Sequence, residues 1–238
     1  MLVEDLGLMP YRDAWAHQER VHLDVVAGGE ERVLLVEHPP VITCGRRPNV
    51  AKNLLASSEQ LQKLGIEFVE SDRGGDITFH GPGQLVAYPI VRLIDHFLSV
   101  GGYVRRLEQA VIAALGDLGI EGRNDDCAVG VWVDQGTIPA RSPEPTRPRP
   151  ADAGGLAKIC ALGVRVRRGV TMHGIALNVT TDLSYFNLII PCGLSCRPVT
   201  SIEKCLPGGS PSMEAVKRAL ARRLLKAFAP VDATSAAP

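Results

Sequence analysis

The chain has 238 residues, of which 45% are hydrophobic and 22% are charged, and its 26 Lys and Arg residues balance its 26 Asp and Glu residues. These values are typical of a globular chain that is long enough to bury a substantial core. A net charge of zero argues against nucleic acid and anionic membrane surfaces as partners, because the protein as a whole would attract neither.

Nothing in the sequence is typical of a targeting or membrane-spanning segment. Residues 1–6 are acidic rather than basic, and no apolar run approaches the roughly 20 residues that cross a bilayer. The six cysteines are too few for a disulfide scaffold in a chain of this length. We therefore expect reduced thiols in a cytoplasmic protein, and no feature demands more than a monomer.

Helix and strand patterns are mixed without strict alternation, which predicts an α+β fold with a mixed β-sheet packed by helices. The first helix is expected at residues 11–26, with Trp15 as its core anchor, and a short helix capped by Ser57 or Ser58 ends at Leu64. The strands expected in this half of the chain are residues 32–37, 41–44, 66–69 and 85–90.

The second half begins with a helix at residues 103–118, whose apolar side chains recur on one helical face. A strand at 130–133 and a hairpin at 158–179, turning at Arg167-Arg168-Gly169, follow it. A final helix is expected with Ser210 as its cap and Pro211 as its first residue. Its inward residues are Met213, Val216, Leu220, Leu224 and Phe228.

One domain is expected over residues 1–228, followed by a disordered tail at 229–238. Residues 137–154 contain five prolines and three arginines. A segment with this composition cannot supply the backbone donors of a central strand. We interpret it as a surface insertion within the domain.

Residues 73–84 are rich in glycine and also contain Arg73, His80 and Gln84. Glycine lets a ligand approach the backbone closely, and loops on a rigid sheet commonly carry binding residues. The stretch predicts either a substrate-binding loop or a tight hairpin.

Cys192 lies between Pro191 and Gly193, where the chain has left regular structure. Such a cysteine suits a nucleophile served by nearby backbone N–H groups, although a buried structural thiol is the alternative. Lys158 is expected on the same strand face as Cys160 and Leu162, where a desolvated lysine would stabilise a neighbouring thiolate. The alternative is that Lys158 begins the strand and extends into solvent.

Several blocks of sequence resemble the octanoyl-[acyl-carrier-protein]:protein octanoyltransferases, the lipoate-protein ligase B family. The blocks are residues 73–89 (RGGDITFHGPGQLVAYP), 130–133 (GVWV), 158–165 (KICALGVR), 173–179 (HGIALNV), 191–193 (PCG) and 199–201 (VTS). They occur in the family's order and extend over most of the chain between residues 37 and 201.

The resemblance implies a fold like that of biotin and lipoate protein ligases, with helices on one side of the sheet. It implies that Cys192 is the acyl-thioester nucleophile and that Lys158 lowers the pKa of its thiol. The substrate-binding residues that it implies are Arg73, Gly74, Gly75, Asp76, Ile77, Thr78, Phe79, His80, Ala161, Leu162, Gly163, Gly174, Ile175 and Ala176. Asp76 departs from the family's pattern, because glutamine is common there.

The implied reaction moves an octanoyl group from octanoyl-acyl carrier protein, through a cysteine thioester, to a lysine of a lipoyl domain. The acceptors would be the lipoyl domains of 2-oxoacid dehydrogenases and the glycine cleavage H protein, and no cofactor or ATP is needed. Lys158 or His80 would serve as the base for the incoming amine. The small residues Ala161, Gly163, Gly174 and Ala176 are expected to leave a groove for the acyl chain.

Two other functions are compatible with these residues. An ATP-dependent lipoate or biotin ligase would share the fold but would need no thiol, and a non-catalytic relative would only bind an acylated protein. A zinc site built from Cys192, Cys196, Cys205 and His173 has poor ligand spacing, so we expect no metal. Cys160 is interpreted as a core thiol, and His173 as either structural or substrate-facing.

Overall fold

The computed structural model describes residues 1–126, 128–134, 155–190 and 197–229. Its strands are β1 (Leu2–Leu8), β2 (Arg32–Glu37), β3 (Val41–Cys44), β4 (Glu67–Glu70), β5 (Thr78–His80), β6 (Gln84–Ile90), β7 (Gly122–Arg123), β8 (Val131–Asp134), β9 (Leu156–Arg167) and β10 (Val170–Asn178). Its α-helices are α1 (Tyr11–Val26), α2 (Ser58–Lys63), α3 (Val100–Asp117), α4 (Ile202–Cys205) and α5 (Met213–Ala227). Short 3-10 helices cover Val50–Asn53, Leu93–His96 and Leu183–Leu188.

The strands form two sheets. The larger sheet has the order β1-β2-β6-β10-β9-β8-β7, and the smaller has the order β4-β3-β5. In the larger sheet β1 runs parallel to β2, and the remaining neighbours are antiparallel. The predicted α+β fold with a mixed sheet is therefore confirmed.

Helices cover both faces of the larger sheet, so the expectation of helices on one side only is wrong. On β2, Val33 and Leu35 belong to the core under α3 and α5, whereas Leu34 and Val36 pack with residues of α1. A strand buried on both faces reads as a continuous apolar run. Residues 33–36 have that pattern, and all four side chains are almost fully buried.

The predicted helices form, with small changes at their ends. Helix α1 has the expected bounds. Trp15 is only partly buried, however, and the fully buried apolar residues of α1 include the small Ala14 and Val25. α3 begins at Val100 rather than at residue 103, because the Ser99 hydroxyl accepts the N–H of Gly102 and caps the first turn. The two glycines in that turn hide the start from a propensity argument.

The hairpin of β9 and β10 turns at Arg168 and Gly169, as predicted. Both residues have positive φ, 53° and 76°, which is the backbone of a two-residue type I′ turn. β1, in contrast, was not predicted, because its apolar residues are interrupted by Glu4, Asp5 and a left-handed Gly7.

Some predictions fall outside the residues that the structure describes. They are the surface insertion predicted at residues 137–154 and the disordered tail predicted at residues 229–238, of which only Ala229 is described. Within the described part of the chain, no helix has both the length and the apolar character needed to cross a membrane.

The cap of the last helix differs from the prediction. The Ser212 hydroxyl, not that of Ser210, accepts the N–H of Ala215, and the Ser210 hydroxyl instead donates to the carbonyl of Pro211. Ser212→Ala should therefore lower the free energy of unfolding by about 1 kcal/mol, because one helix donor loses its acceptor. Ser210→Ala is the matched control and should change stability by less. Urea unfolding of both variants measures the difference, and an equal loss would contradict the assignment.

Candidate active site

A cavity of about 270 Å³ opens between β6, β9 and β10 of the larger sheet and the segment that leads into β5. Its apolar wall includes Val86, Leu162, Ile175, Phe186 and Val199. Its polar wall includes Tyr11, Arg73, Asp76, Thr78, His80, Gln84, Tyr88, Lys158, His173 and Asn178. A concave site with apolar walls and convergent polar groups is the usual form of a small-molecule site.

Small residues face each other across the hairpin at the cavity. Ala161 lies opposite Ala176, and Gly163 lies opposite Gly174. A Cβ atom on Gly174 would lie 2.2 Å from the carbonyl oxygen of Ala87, and one on Gly163 would lie 2.8 Å from that of Gly74. The two glycines thus line the cavity and are also required for close backbone packing. From the sequence alone, these small residues were expected only to leave a groove for the acyl chain.

The Arg73 guanidinium is buried in the cavity wall and tied to β3. It donates to the Thr43 hydroxyl at 2.9 and 3.1 Å, to the Thr43 carbonyl at 2.7 Å and to the Gly74 carbonyl at 3.2 Å. These bonds fix the positive charge of Arg73, a residue that is only 7% exposed. They leave the arginine rigid, as a group that orients its neighbours must be.

A chain of buried amides fixes the tautomer of His80. Asn178 donates to the Thr200 carbonyl at 3.0 Å and accepts from Gln84 Nε2 at 2.9 Å. Since Gln84 Nε2 is the donor, its Oε1 accepts the Nδ1–H of His80 at 2.7 Å. The lone pair of His80 is therefore on Nε2, 3.4 Å from the Thr43 hydroxyl. Burial, and then the nearby His38 and Arg73, holds the pKa of His80 well below its usual value.

His173 forms a second buried cluster at the cavity. Its Nε2–H donates to Asp72 Oδ1 at 2.6 Å, and Arg165 pairs with the other oxygen of that carboxylate. Burial alone would raise the pKa of Asp72, but the hydrogen bond from His173 and the charge of Arg165 outweigh it and leave the pKa below its usual value. Burial lowers the pKa of His173, although Asp72 opposes the shift. Asp72 and Arg165 thus hold His173 in place, and His173 itself lines the cavity.

Asp76 is used as an acceptor in this chain. Its Oδ1 accepts the Asn53 side-chain amide at 2.8 Å and the N–H of Ile77 at 2.7 Å. Its Oδ2 lies 4.0 Å from Arg47 Nη1. The departure from glutamine therefore replaces an amide by a carboxylate that has donors on both sides.

Lys158 lines the cavity, but it does not share a face with Cys160 as expected. The pairing of β8 with β9 shifts by one residue, so that Val131 lies opposite Cys160 and Trp132 lies opposite Lys158. Ile159 and Cys160 both belong to the buried core, while Lys158 turns to the opposite face. A β-bulge has this effect because it adds one residue to one strand only. Burial raises the pKa of Cys160 to about 12, consistent with a core thiol.

The ammonium of Lys158 has defined partners. Its Nζ donates to the Val129 carbonyl at 3.0 Å and lies 4.6 Å from the centroid of the Trp132 ring. Gly130 permits this approach, because a Cβ atom there would lie 3.0 Å from Lys158 Cε. The buried carboxylate of Glu108 holds the turn by accepting the N–H of Gly130 at 2.9 Å.

The backbone of Lys158 connects the cavity to the chain that follows the predicted nucleophile. The Lys158 N–H donates to the Pro198 carbonyl, and its carbonyl accepts the N–H of Thr200, both at 2.9 Å. Cys192 itself lies outside the described residues, as does Cys196.

The other predicted site residues converge on the cavity with two exceptions. Gly74 packs against β9, where its N–H donates to the Val164 carbonyl at 2.9 Å. Phe79 is 1% exposed and stacks on Tyr185 with ring centroids 4.7 Å apart. The predicted site residues that do line the cavity are Arg73, Gly75, Asp76, Ile77, Thr78, His80, Ala161, Leu162, Gly163, Gly174, Ile175, Ala176 and Lys158.

Several cavity residues were missed in the sequence. Gln84 was placed in the glycine-rich stretch without a binding role, and Asn178 was treated as part of a strand, although an amide in an otherwise apolar strand is a signal of a buried hydrogen bond. Tyr11 comes from the distant helix α1, and no local pattern connects it to the cavity. Arg47 follows β3 in an exposed loop.

No resident metal site is evident in the part of the chain that is described. Within it, no three His, Cys, Asp or Glu side chains converge as metal ligands would. The polar groups of the cavity are engaged with one another and suit hydrogen bonding to an organic substrate.

Solved structures with this fold are lipoate protein ligases. A putative lipoate protein ligase from T. acidophilum with bound lipoic acid has a TM-score of 0.69 at 18% identity, covering 96% of this chain and 86% of that chain. A lipoate-protein ligase A bound with ATP has a TM-score of 0.72 at 18% identity, covering 95% of this chain and 84% of that chain. The fold is therefore that of the lipoate protein ligases.

Sequence relatives narrow the assignment. Residues 10–225 match the lipoyl protein ligase A/B catalytic domain. An octanoyltransferase from Deinococcus radiodurans is 42% identical over 237 residues, which are 97% of this chain but only 65% of that protein's length. An octanoyltransferase from Solibacter usitatus is 43% identical over 227 residues, with 95% of this chain and 92% of that protein covered. The chain belongs to the octanoyltransferases of the lipoyl protein ligase A/B catalytic domain family.

An aromatic cluster beside the cavity should make stability depend on pH. His38 donates from Nδ1 to the Met9 carbonyl at 2.7 Å and accepts the Tyr88 hydroxyl at Nε2 at 2.8 Å. Its ring packs edge-on against Tyr11 and His80. Both nitrogens are thus used in the neutral form, and burial lowers the pKa of His38 from 6.5 to about 4.

Because the unfolded chain binds a proton at His38 that the folded chain excludes, this stabilisation is complete above pH 6.5 and is lost as the pH falls towards 4. The loss at this one group amounts to about 3 kcal/mol. His38→Gln keeps a hydrogen-bond donor and an acceptor but removes the titratable group. The free energy of unfolding of this variant should therefore decrease less than that of the wild type as the pH is lowered. Urea unfolding between about pH 7 and pH 4.5 tests this. Equal pH dependence in the two proteins would refute it.

Proposed function

We propose that the protein transfers an octanoyl group from octanoyl-acyl carrier protein to a lysine of a lipoyl domain, through a thioester on Cys192. The observation that carries this proposal is the Lys158 ammonium, which is fixed on the cavity wall by the Val129 carbonyl and by Trp132. The names of the relatives support the octanoyl group. The acyl carrier protein and the thioester rest on the resemblance of the sequence.

Chain connectivity supports a meeting of Cys192 and Lys158. Ile190 donates its N–H to the Asn53 carbonyl, and the Asn53 side-chain amide donates a hydrogen bond to Asp76 at the cavity wall. After Cys196 the described chain resumes at Arg197, one residue before the Pro198 carbonyl that accepts the Lys158 N–H. The described residues on either side of the segment that contains Cys192 are thus tied to the cavity wall at Ile190 and to Lys158 at Pro198.

In the first step the Cys192 thiolate attacks the thioester carbonyl of the donor. The new S–C bond replaces the bond to the pantetheine sulfur, which leaves as a thiolate and takes a proton from the Lys158 ammonium. One thioester replaces another, so no ATP is consumed. The ammonium stabilises the attacking thiolate at neutral pH, because an adjacent positive charge lowers a thiol pKa.

In the second step the amine of the acceptor lysine attacks the octanoyl-Cys192 thioester. The amide bond forms, the Cys192 thiolate leaves, and the neutral Lys158 amine accepts the proton of the incoming amine. This proton transfer restores the ion pair of the resting enzyme. Exclusion of water by the cavity protects the thioester from hydrolysis between the two steps.

We assign the base to Lys158 rather than to His80. The environment that depresses the pKa of His80 makes its protonation unfavourable, and its Nδ1–H is committed to Gln84. His80 then acts as part of the rigid wall. The apolar residues of the cavity hold the octanoyl chain, each buried methylene contributing about 0.8 kcal/mol.

An octanoyl adduct on Cys192 is the first prediction of this mechanism. Mixing the protein with octanoyl-acyl carrier protein, without ATP or acceptor, should add one octanoyl mass to the wild type and none to Cys192→Ser. Cys205→Ser is the matched control and should still form the adduct. Intact-mass spectrometry gives the readout, and an adduct that persists in Cys192→Ser would exclude the proposed nucleophile. An absolute need for ATP would favour the ligase reaction instead.

The loss of the Lys158 ammonium should reduce turnover without unfolding the protein. Lys158→Met keeps the length of the side chain but removes the charge and the proton carrier, so kcat should fall by about 100-fold or more. Lys204→Met, at an exposed position, is the control and should retain activity. Steady-state transfer assays and thermal unfolding of each variant are the measurements. A Lys158→Met variant with normal turnover would remove lysine from the mechanism.

A further inference from the structure

The basic loop (residues 45–53) follows β3 and leads towards α2. It carries Arg46, Arg47 and Lys52, and no acidic residue occurs between residues 45 and 58. All three basic side chains are exposed. Arg47 lines the cavity although its side chain is 64% exposed, so it lies at the opening.

The backbone of the basic loop is fixed against the cavity wall at its start. The N–H of Gly45 donates to the Asp76 carbonyl at 3.3 Å, and that of Arg46 donates to the Arg73 carbonyl at 3.0 Å. A Cβ atom on Gly45 would lie only 2.4 Å from the Gly75 carbonyl oxygen. Glycine is therefore required for this close approach, which fixes the backbone just before Arg47, the arginine at the opening.

The end of the basic loop is fixed as well. Val50 is 4% exposed and belongs to the core cluster beneath the smaller sheet. Asn53 donates from its side chain to Asp76 at 2.8 Å, and its carbonyl accepts the N–H of Ile190 at 2.7 Å. The positive charges thus project from an anchored segment, and a ligand would not have to pay the full cost of ordering a free loop.

The charge of the basic loop is only partly neutralised. Arg47 lies 4.0 Å from Asp76 Oδ2, and Asp76 already accepts hydrogen bonds from Asn53 and Ile77 at its other oxygen. Among the described residues, Arg46 and Lys52 form no ion pair. Arg47 therefore extends from the opening of the cavity with one carboxylate at 4.0 Å, and the exposed Arg46 and Lys52 add two more positive charges to the same loop. This arrangement suits an anionic ligand.

We propose that the basic loop binds the phosphodiester of the phosphopantetheine arm that carries the octanoyl thioester. This inference rests on the proposed function. The thioester has to reach Lys158 inside the cavity, so the arm must occupy the opening and its phosphate must remain at the charged rim. Arginine forks match the geometry of phosphate oxygens, and charge-assisted hydrogen bonds are among the stronger ones.

Donors that differ in phosphate test the proposal. Octanoyl-pantetheine lacks the phosphate. Octanoyl-CoA carries a phosphate at the same position, as part of a diphosphate, without a carrier protein. Octanoyl-acyl carrier protein carries the phosphodiester on a protein. The variants are Arg47→Gln and the double variant Arg46→Gln/Lys52→Gln. The control is Arg168→Asn at the distant hairpin turn, because asparagine tolerates the positive φ there. Each protein is assayed for kcat/KM with all three donors and one acceptor domain.

Arg47→Gln should lower kcat/KM for both phosphate-bearing donors about tenfold relative to octanoyl-pantetheine, which is the expected effect of one charge-assisted contact. The double variant should also lose kcat/KM with the phosphate-bearing donors relative to octanoyl-pantetheine, and the Arg168→Asn control should show no such loss. Added salt should weaken the wild-type preference for phosphate-bearing donors, since exposed charges are screened.

The remaining outcomes overturn the proposal in different ways. An equal loss with all three donors, or a loss confined to the acceptor KM, would exclude the phosphate site while leaving the proposed function intact. A loss confined to the carrier protein would place the contact on that protein's surface, and one confined to octanoyl-CoA would place it on the nucleotide. If the wild type transferred octanoyl from no donor, the proposed function would fail and this inference with it.

Discussion

The single extra residue in β9 is the constraint on which the site depends. Because the pairing with β8 shifts between Val131 and Trp132, Ile159 and Cys160 remain in the core while Lys158 reaches the cavity. A regular strand would have kept Lys158 on the face of Cys160, among apolar side chains of α3 and α5. A lysine there would lose its charge or destabilise the fold. The bulge instead gives it a carbonyl and an indole ring as partners.

The rest of the cavity combines rigid polar groups with backbone crowding. The amides of Gln84 and Asn178 determine which nitrogen of His80 carries the proton, and Arg73 is tied to Thr43 by several hydrogen bonds. Gly163 and Gly174 allow two neighbouring segments to pack at backbone distance. These contacts keep the walls in one arrangement, so that a substrate binds to groups which need little reorganisation.

Local patterns in the sequence were sufficient for the elements but not for the relations between them. Helical spacing identified α1, α3 and α5, and Arg168-Gly169 identified the hairpin turn. The bulge could not be predicted, because it exists only in the pairing of β9 with β8. Ser210 was expected as the cap because Pro211 fits a first helical turn, yet it is the hydroxyl of Ser212 that accepts the helix N–H. The convergence of Tyr11 and Arg73 likewise depends on tertiary packing.

The first strand has a consequence for how the molecule behaves at high concentration. Among the described strands, β1 ends the larger sheet, a position where exposed backbone groups can recruit another chain. Its regular pairing breaks between Asp5 and Leu8, and the N–H of the left-handed Gly7 is occupied by the Asp5 carboxylate at 3.0 Å. Lys217 holds that carboxylate in turn at 2.8 Å. The ion pair thereby keeps one backbone donor of the sheet margin occupied and places charge where another strand would have to pair.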